Sequence, residues 1–450
     1  MNILESKTIE ILIDSLNKLD SGFENLPEIK NNYDYDRIKD ILNNIAERMQ
    51  NNYPYFHPLY AGQMLKPPHP IARVAYMLAL WINPNNHALD GGRESSRMEK
   101  EAVSEIAKMF GWNIHLGHLT SAGTTANLEA LWISGQVKQG KRILASSQSH
   151  YTHERMCKVL GLPFSQVKSD RFGKMDVDEL EKELRKGDIG TVVATIGTTA
   201  TGSVDPLPEI LELKKQYDFR IHADAAYGGY FFLSDNLDEK TRGIYDKIGE
   251  VDSIVIDPHK HGLQPYGCGC VLFKDPTVGK FYKHNSPYTY FTSNELHLGE
   301  ISLECSRAGA AAVALWGTQK MFPLIKGGEF SRSISLCREA ALNFYSRLKH
   351  SERFIPAFHP ELDIVVWVTK AESVTKISEL SKKIFDESAK LNLHLALAEL
   401  PVDFFDLQKH NIVIDKNTCV ALRSVLMKPE HNEWIERIWN ILNKAYDNIK

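Results

Sequence analysis

The chain has 450 residues, 43% hydrophobic and 24% charged, with a formal net charge of -4 and a pI near 6.5. This is an ordinary globular composition for about two or three domains, and it lacks the clustered Lys and Arg of a nucleic-acid footprint. Six cysteines with no CxxC pair exclude a disulfide framework and the usual zinc or redox spacings, and no metal site is expected.

In chain order, MNILESKTIEILIDSL sets Glu5, Glu10 and Asp14 among apolar residues. That is the pattern of an amphipathic helix and not the apolar core of a signal peptide. Residues 1–60 predict a helical segment with a loop near 25–36. YPYFHPLYAGQMLKPPHP (53–70) is too rich in proline to be a regular helix. IARVAYMLALWI (71–82) is interrupted by Arg73 and too short to cross a bilayer, so no membrane association is expected and a reduced, cytoplasmic setting is.

Residues 61–325 predict a large α/β domain. Helix patterns at 96–111, 124–136, 176–187 and 208–218 alternate with strand patterns at 142–146, 191–196, 219–224, 253–257 and 268–274. Strands separated by helices imply a mainly parallel sheet covered on both faces. Cys268 and Cys270 share one face of the last of these strands and read as small buried residues. From 326 to 450 a long helix (329–349), DIVVWVT (363–369), a helix (373–391), CVALRSVLM (419–427) and a final helix from 430 predict a small α+β domain.

In an open α/β sheet, ligands bind beyond the carboxyl ends of the strands. Five features lie there. TSAGTTANLEAL opens from a small-residue turn into a helix, so Gly123, Thr124 and Thr125 offer free N–H groups to a phosphate or form an ordinary Thr-capped start. His150 follows the strand RILAS, and GTT at 197–199 follows TVVATI. In HADAAYGG, Asp224 ends a strand above a flat floor of Ala225, Ala226, Gly228 and Gly229, where a ring can lie close to the backbone. Lys260 in DPHKHG follows the strand SIVI, where a desolvated amine becomes nucleophilic. A phosphate cradle, a His, an Asp and a Lys are together the parts that hold pyridoxal 5'-phosphate.

The motifs TSAGTTANLEAL, SSQSHYTHER, ATIGTTATGSVDPL, HADAAYGGY and DPHKHG resemble, in that order, those of the group II amino-acid decarboxylases among the fold-type-I pyridoxal-phosphate enzymes. PPHPIA and IDPHK are most similar to the archaeal tyrosine/aspartate decarboxylase branch. The resemblance implies a mainly parallel seven-stranded sheet with a small C-terminal domain. It implies that Lys260 is the Schiff-base lysine, that Asp224 pairs with the pyridine nitrogen, and that Ala226 packs under the ring while His150 stacks over it. Gly123, Thr124 and His259 would serve the phosphate, and Thr199 lies near the ring in the family. Ser306 and Arg307 match a motif that in some relatives reaches the neighbouring subunit's phosphate, implying a homodimer with a shared active site. Arg423 matches an arginine associated with the substrate carboxylate.

The expected reaction is loss of CO2 from an L-amino acid, an aromatic one such as tyrosine first, with aspartate, glutamate or histidine as alternatives. A carbon–carbon lyase of the sphingosine-phosphate-lyase type is the rival, although GTT at 197–199 stands where those enzymes have GSAP-like loops. Tyr288 and Tyr290 are the candidates for the acid that returns a proton to the product, and Tyr290 is the one carried forward. Tyr60, Phe56 and His57 are candidates for the substrate wall or for core packing, and Gln63 and His57 for a second carboxylate. His261 has no assigned role.

Overall fold

The apolar runs read as strands form the middle of a seven-stranded sheet in the computed structural model, which describes residues 5–283 and 296–449. Its strands are β1 (Leu116–Thr120), β2 (Arg142–Ser146), β3 (Phe164–Val167), β4 (Ile189–Thr195), β5 (Arg220–Asp224), β6 (Ser253–Ile256) and β7 (Gly269–Phe273). They lie in the order β1-β7-β6-β5-β4-β2-β3. The ladders from β6 through β3 are parallel, whereas β7 runs antiparallel to both β6 and β1. Every residue of β4, β6 and β7 is buried, which is why those strands read as unbroken apolar runs rather than alternating ones.

Two strands were not legible. β1, LGHLT, and β3, FSQV, are short and interrupted by polar residues. In β1 the polar His118 is buried because its Nε2 lies 2.9 Å from Glu129 Oε2. The partner that makes its burial affordable is on a helix eleven residues away.

A second, four-stranded antiparallel sheet has the order β10-β11-β9-β8, with β8 (Phe354–Pro356), β9 (Ile364–Thr369), β10 (Ala396–Pro401) and β11 (Thr418–Val425). The helices Glu329–Lys349, Val374–Lys390 and His431–Asn448 pack with it around the buried Trp367 and Phe344. The segment near Tyr60 joins this sheet, since Ala61 N donates to His394 O at 2.9 Å and Val425 N to Ala61 O at 2.8 Å. The N-terminal helices are Ser6–Asp20 and Tyr35–Met49.

Because β7 is antiparallel to its two neighbours, β1 runs in the same sense as β6. The carboxyl ends of β1, β2, β4, β5 and β6 therefore share one edge of the sheet. The five motifs of the sequence follow those five ends.

Candidate active site

A cavity of about 250 Å³ opens along that edge. Gly123 and Thr124 line it from the start of the helix Gly123–Val137, His150 from the turn after β2, and Thr199 from the loop after β4. Asp224 and Ala226 enter from β5, and His259 and Lys260 from the turn after β6. Eight residues expected from sequence thus meet in one place, although nothing local brings them together.

Small residues are required here by close approach. A Cβ on Gly123 would lie 2.5 Å from Asp257 Oδ2, and one on Gly228 would lie 2.2 Å from Ile196 O. Gly228 lets the turn after β5 pass against β4, and Gly197, at φ +98°, completes that crossing. Asp205 fixes the far side of the loop by accepting from Thr195 N and Met175 N, both at 2.7 Å.

Asp224 Oδ1 accepts from Ala226 N at 3.2 Å, and Oδ2 lies 3.1 Å from His153 Nε2. Burial alone would push this carboxyl up. The hydrogen bond and charge of His153, with His222 and Lys260, outweigh burial and hold it well below the usual carboxylate range. His222 lies behind, its Nε2 2.9 Å from Asn127 Oδ1 and its Nδ1 2.9 Å from Ser253 Oγ. Burial pushes His222 down to about 3, so it is neutral.

His150 is half-buried, and burial lowers its pKa. Its Nδ1 accepts from Thr152 N at 3.2 Å and lies 2.6 Å from Thr152 Oγ1. The proton of the neutral ring therefore sits on Nε2, which acts as a donor. Lys260 Nζ lies 3.0 Å from Asp257 Oδ2, so the lysine is paired by its own turn rather than being a lone buried amine. His259 Nδ1 lies 2.8 Å from Cys268 O, which fixes its ring in the cavity wall.

Arg423, on β11, reaches the cavity rim, where Nη1 donates to Thr199 O at 2.9 Å and Nη2 to Gln63 Oε1 at 2.5 Å. Its Nε is buried without a hydrogen-bond partner.

Other expected residues lie elsewhere. Arg307 is buried, with its guanidinium on Glu99 and on Leu119 O, so it pins β1 to a helix, and its Nη1 has no hydrogen-bond partner. Ser306 is exposed and its hydroxyl accepts from Asn85 Nδ2 at 3.5 Å, outside the cavity. Tyr60 is 5% exposed among Tyr53, Tyr55 and His394, which is core packing. His57 stacks edge-on against Trp434 at 4.8 Å and accepts from Leu59 N, also away from the cavity. Tyr288 and Tyr290 lie outside the described residues.

Sequence reasoning missed Asn127, Tyr151, His153, Thr195, Tyr227 and Asp257, which line the cavity or hold its walls. His153 had one signal: it stands one helical turn after His150 on the helix Thr152–Leu160. No group of His, Cys, Asp and Glu able to hold a metal occurs among the described residues. Cys305 is exposed and the other five cysteines are buried away from the cavity, so none stands as a catalytic thiol there.

The donor set fits pyridoxal phosphate on this geometry alone. The cavity has a helix start too tight for a Cβ at Gly123, a carboxylate held in its charged form, an amine, and an unpartnered Thr195 hydroxyl. The model of the pyridoxal-dependent decarboxylase conserved domain matches residues 22–370. The chain belongs to this family. The decarboxylase is 27% identical to the L-tyrosine decarboxylase of Enterococcus faecium over 79% of this chain and 77% of that one. It is 28% identical to the aromatic-L-amino-acid decarboxylase of Bacillus atrophaeus, covering 86% and 83%. It is 30% identical to a probable L-tyrosine/L-aspartate decarboxylase of Methanococcus maripaludis, covering 63% and 74%. Among solved structures, Oryza sativa TDC with PLP and tryptamine superposes with a TM-score of 0.79 at 16% identity, covering 100% and 99% of the two chains, and establishes the fold. The decarboxylase is a pyridoxal-phosphate-dependent amino-acid carboxy-lyase.

Proposed function

We propose that the decarboxylase acts on an aromatic L-amino acid, tyrosine first, and releases the amine and CO2. The carrying observation is the charge of the cavity wall. Among the described residues lining the cavity, Lys260 is the one Lys or Arg and Asp257 already pairs with it, while Arg423 at the rim is assigned to the α-carboxylate. A second carboxylate on an aspartate or glutamate substrate would enter without a cation of its own, which is costly in a confined site. Tyr151, Tyr227 and His150 instead present rings. The names of the relatives from Enterococcus and Bacillus point the same way.

When bound, pyridoxal phosphate supplies a carbonyl for the substrate amine and a ring that accepts the electron pair left by CO2. We assign the surrounding roles as follows. Lys260 holds the cofactor and yields to the substrate amine. Asp224 holds the proton of the ring nitrogen, Gly123 and Thr124 with His259 take the phosphate, Ala226 forms the floor and Thr199 the near edge. Arg423 orients the substrate carboxylate, with Gln63 and the Thr199 carbonyl setting its guanidinium plane. The α-carbon must gain one proton as CO2 leaves. His150 Nε2–H and Tyr290 are the groups we assign to that transfer.

We further propose a homodimer in a reducing cytoplasm. The helix Tyr35–Met49 buries none of its residues, yet Ile38, Ile41, Leu42, Ile45 and Met49 recur on one face, with Leu42 57% exposed. A second copy of the chain is the occupant we assign to that face. All six cysteines are unpaired, and no described helix is long and apolar enough to cross a membrane.

The decisive experiment incubates the loaded enzyme with each L-amino acid and scores CO2 and amine. Tyramine as the main product supports the reading. Preferential turnover of aspartate or glutamate overturns the substrate assignment. Sedimentation of the wild type and Leu42→Glu tests the dimer, and a monomeric wild type refutes it.

A further inference from the structure

We propose that His153 is a doubly protonated imidazolium in a standing ion pair with Asp224, so that the cofactor's ring nitrogen meets a neutral His–Asp pair rather than a lone carboxylate. His153 is thereby a positioning residue, acting through Asp224.

His153 is fully buried. Its Nδ1 lies 2.9 Å from the carbonyl oxygen of His150, which can only accept. Its Nε2 lies 3.1 Å from Asp224 Oδ2 and 3.3 Å from Asn127 Oδ1. The Asn127 orientation is fixed, because its Nδ2 donates to Gly123 O at 2.9 Å and turning the amide would set two oxygens against each other. The same Oδ1 accepts from His222 Nε2 at 2.9 Å. Every neighbour of both His153 nitrogens is therefore an acceptor, and a lone pair on either nitrogen would face only oxygen lone pairs. Both nitrogens carry protons.

The consequence concerns the charge of Asp224. A buried carboxylate with no cation is expected to take up a proton and become neutral. Once neutral, it no longer stabilises a positive ring nitrogen. With His153 beside it, Asp224 stays ionised before the cofactor arrives. It also competes weakly for the ring proton, which leaves that proton on the cofactor and preserves its electron-accepting power.

The cofactor arm of the test rests on Asp224 facing the ring nitrogen; the first arm does not, so the two ideas fail separately. In protein labelled with nitrogen-15 histidine and stripped of cofactor, long-range proton–nitrogen NMR at neutral pH should show the His153 ring, identified by comparison with the variant, with both nitrogens in the protonated range; His118, whose nitrogens also face only acceptors, serves as an internal reference. The His153 signal should vanish in His153→Gln, or in His153→Asn should the glutamine variant not fold. A His153 signal of a neutral tautomer overturns the proposal. In the second arm, pyridoxal phosphate affinity is read by fluorescence quenching. His153→Gln keeps one hydrogen bond to Asp224 but removes the charge, and should weaken binding about ten- to a hundredfold. In an Asp224→Asn background the same change should cost less than about twofold. Equal losses in both backgrounds would make His153 a packing residue and overturn its role.

Discussion

Two of the buried His–Asp pairs near Lys260 differ in what surrounds them. His153 lies 3.1 Å from Asp224, and His261 lies 3.2 Å from Asp363. Both histidines are fully buried. Around the first, every contact of the imidazole is an acceptor and the carboxylate lines the cavity. Around the second, Tyr227 OH donates to Asp363 Oδ1 at 2.6 Å, neither His261 nitrogen nor Asp363 Oδ2 has a hydrogen-bond partner, and burial lowers the histidine's pKa. The rings of Tyr227 and Phe231 pack edge-on against His261 at 4.9 and 5.1 Å. The same residue types thus stand in two settings. We assign the first pair to the cofactor's charge, and the second sets the turn after β6 against the residue that precedes β9. Burial and pairing alone do not mark a functional group; access to the cavity does.

The comparison can be broken by substitution. The largest effect belongs to the lysine near both pairs: Lys260→Ala should lower the rate of CO2 release by about a thousandfold or more. Asp224→Ala should follow, with a loss of about a hundredfold in kcat/KM, because its role is electrostatic, and with a lower Tm, because buried His153 loses its counter-charge. Asp363→Ala should leave kcat/KM within a few fold and act on stability alone. It strands the Tyr227 hydroxyl and His261 without a carboxylate, and denaturant titration should show a stability loss of about 2 kcal/mol. A large fall in activity without loss of stability would erase the distinction between the two pairs.

Acid sharpens it further. Burial pushes His222 and His431 down to about 3. The unfolded chain protonates such groups first as pH falls through about 6.5, so stability is lost from there down to the folded values. Asp205, which burial pushes up to about 7, works in the opposite sense between about 7 and 4. His150, His259 and His261, also lowered by burial, act in the same direction as His222 and His431, so the net change is a fall in stability as pH drops below about 6.5, to be read by denaturation at several pH values. The smallest effect is His57→Ala, which should change KM by less than about twofold, because its ring packs on Trp434 away from the cavity.

Much of the site was legible because its residues follow strand ends, and strands buried on both faces have an unmistakable apolar pattern. RILAS gave β2 without error in either boundary. His150, Asp224 and Lys260 were found by asking what stands just beyond such runs. What was not legible depends on contacts across the fold. The contact of Arg307 with Glu99 joins residues 208 positions apart. Asp257 faces both Gly123 and Lys260, and the first of these contacts joins residues far apart in the chain. Tyr60 and His57 are aromatic in the right neighbourhood, and only packing distinguishes a pocket wall from a core. His261 had no reading until β9 placed Asp363 against it.

The tie between His261 and Asp363 also bears on how the protein comes apart. Lys260 is one peptide bond from a residue that lies 3.2 Å from Asp363, the residue before β9 of the second sheet. If that sheet loosens, the lysine loses its anchor even while the parallel sheet still stands. Cofactor release and melting of the C-terminal sheet should then occur in a single thermal transition, and the colour of the bound cofactor becomes an optical gauge of a region some hundred positions further along the chain.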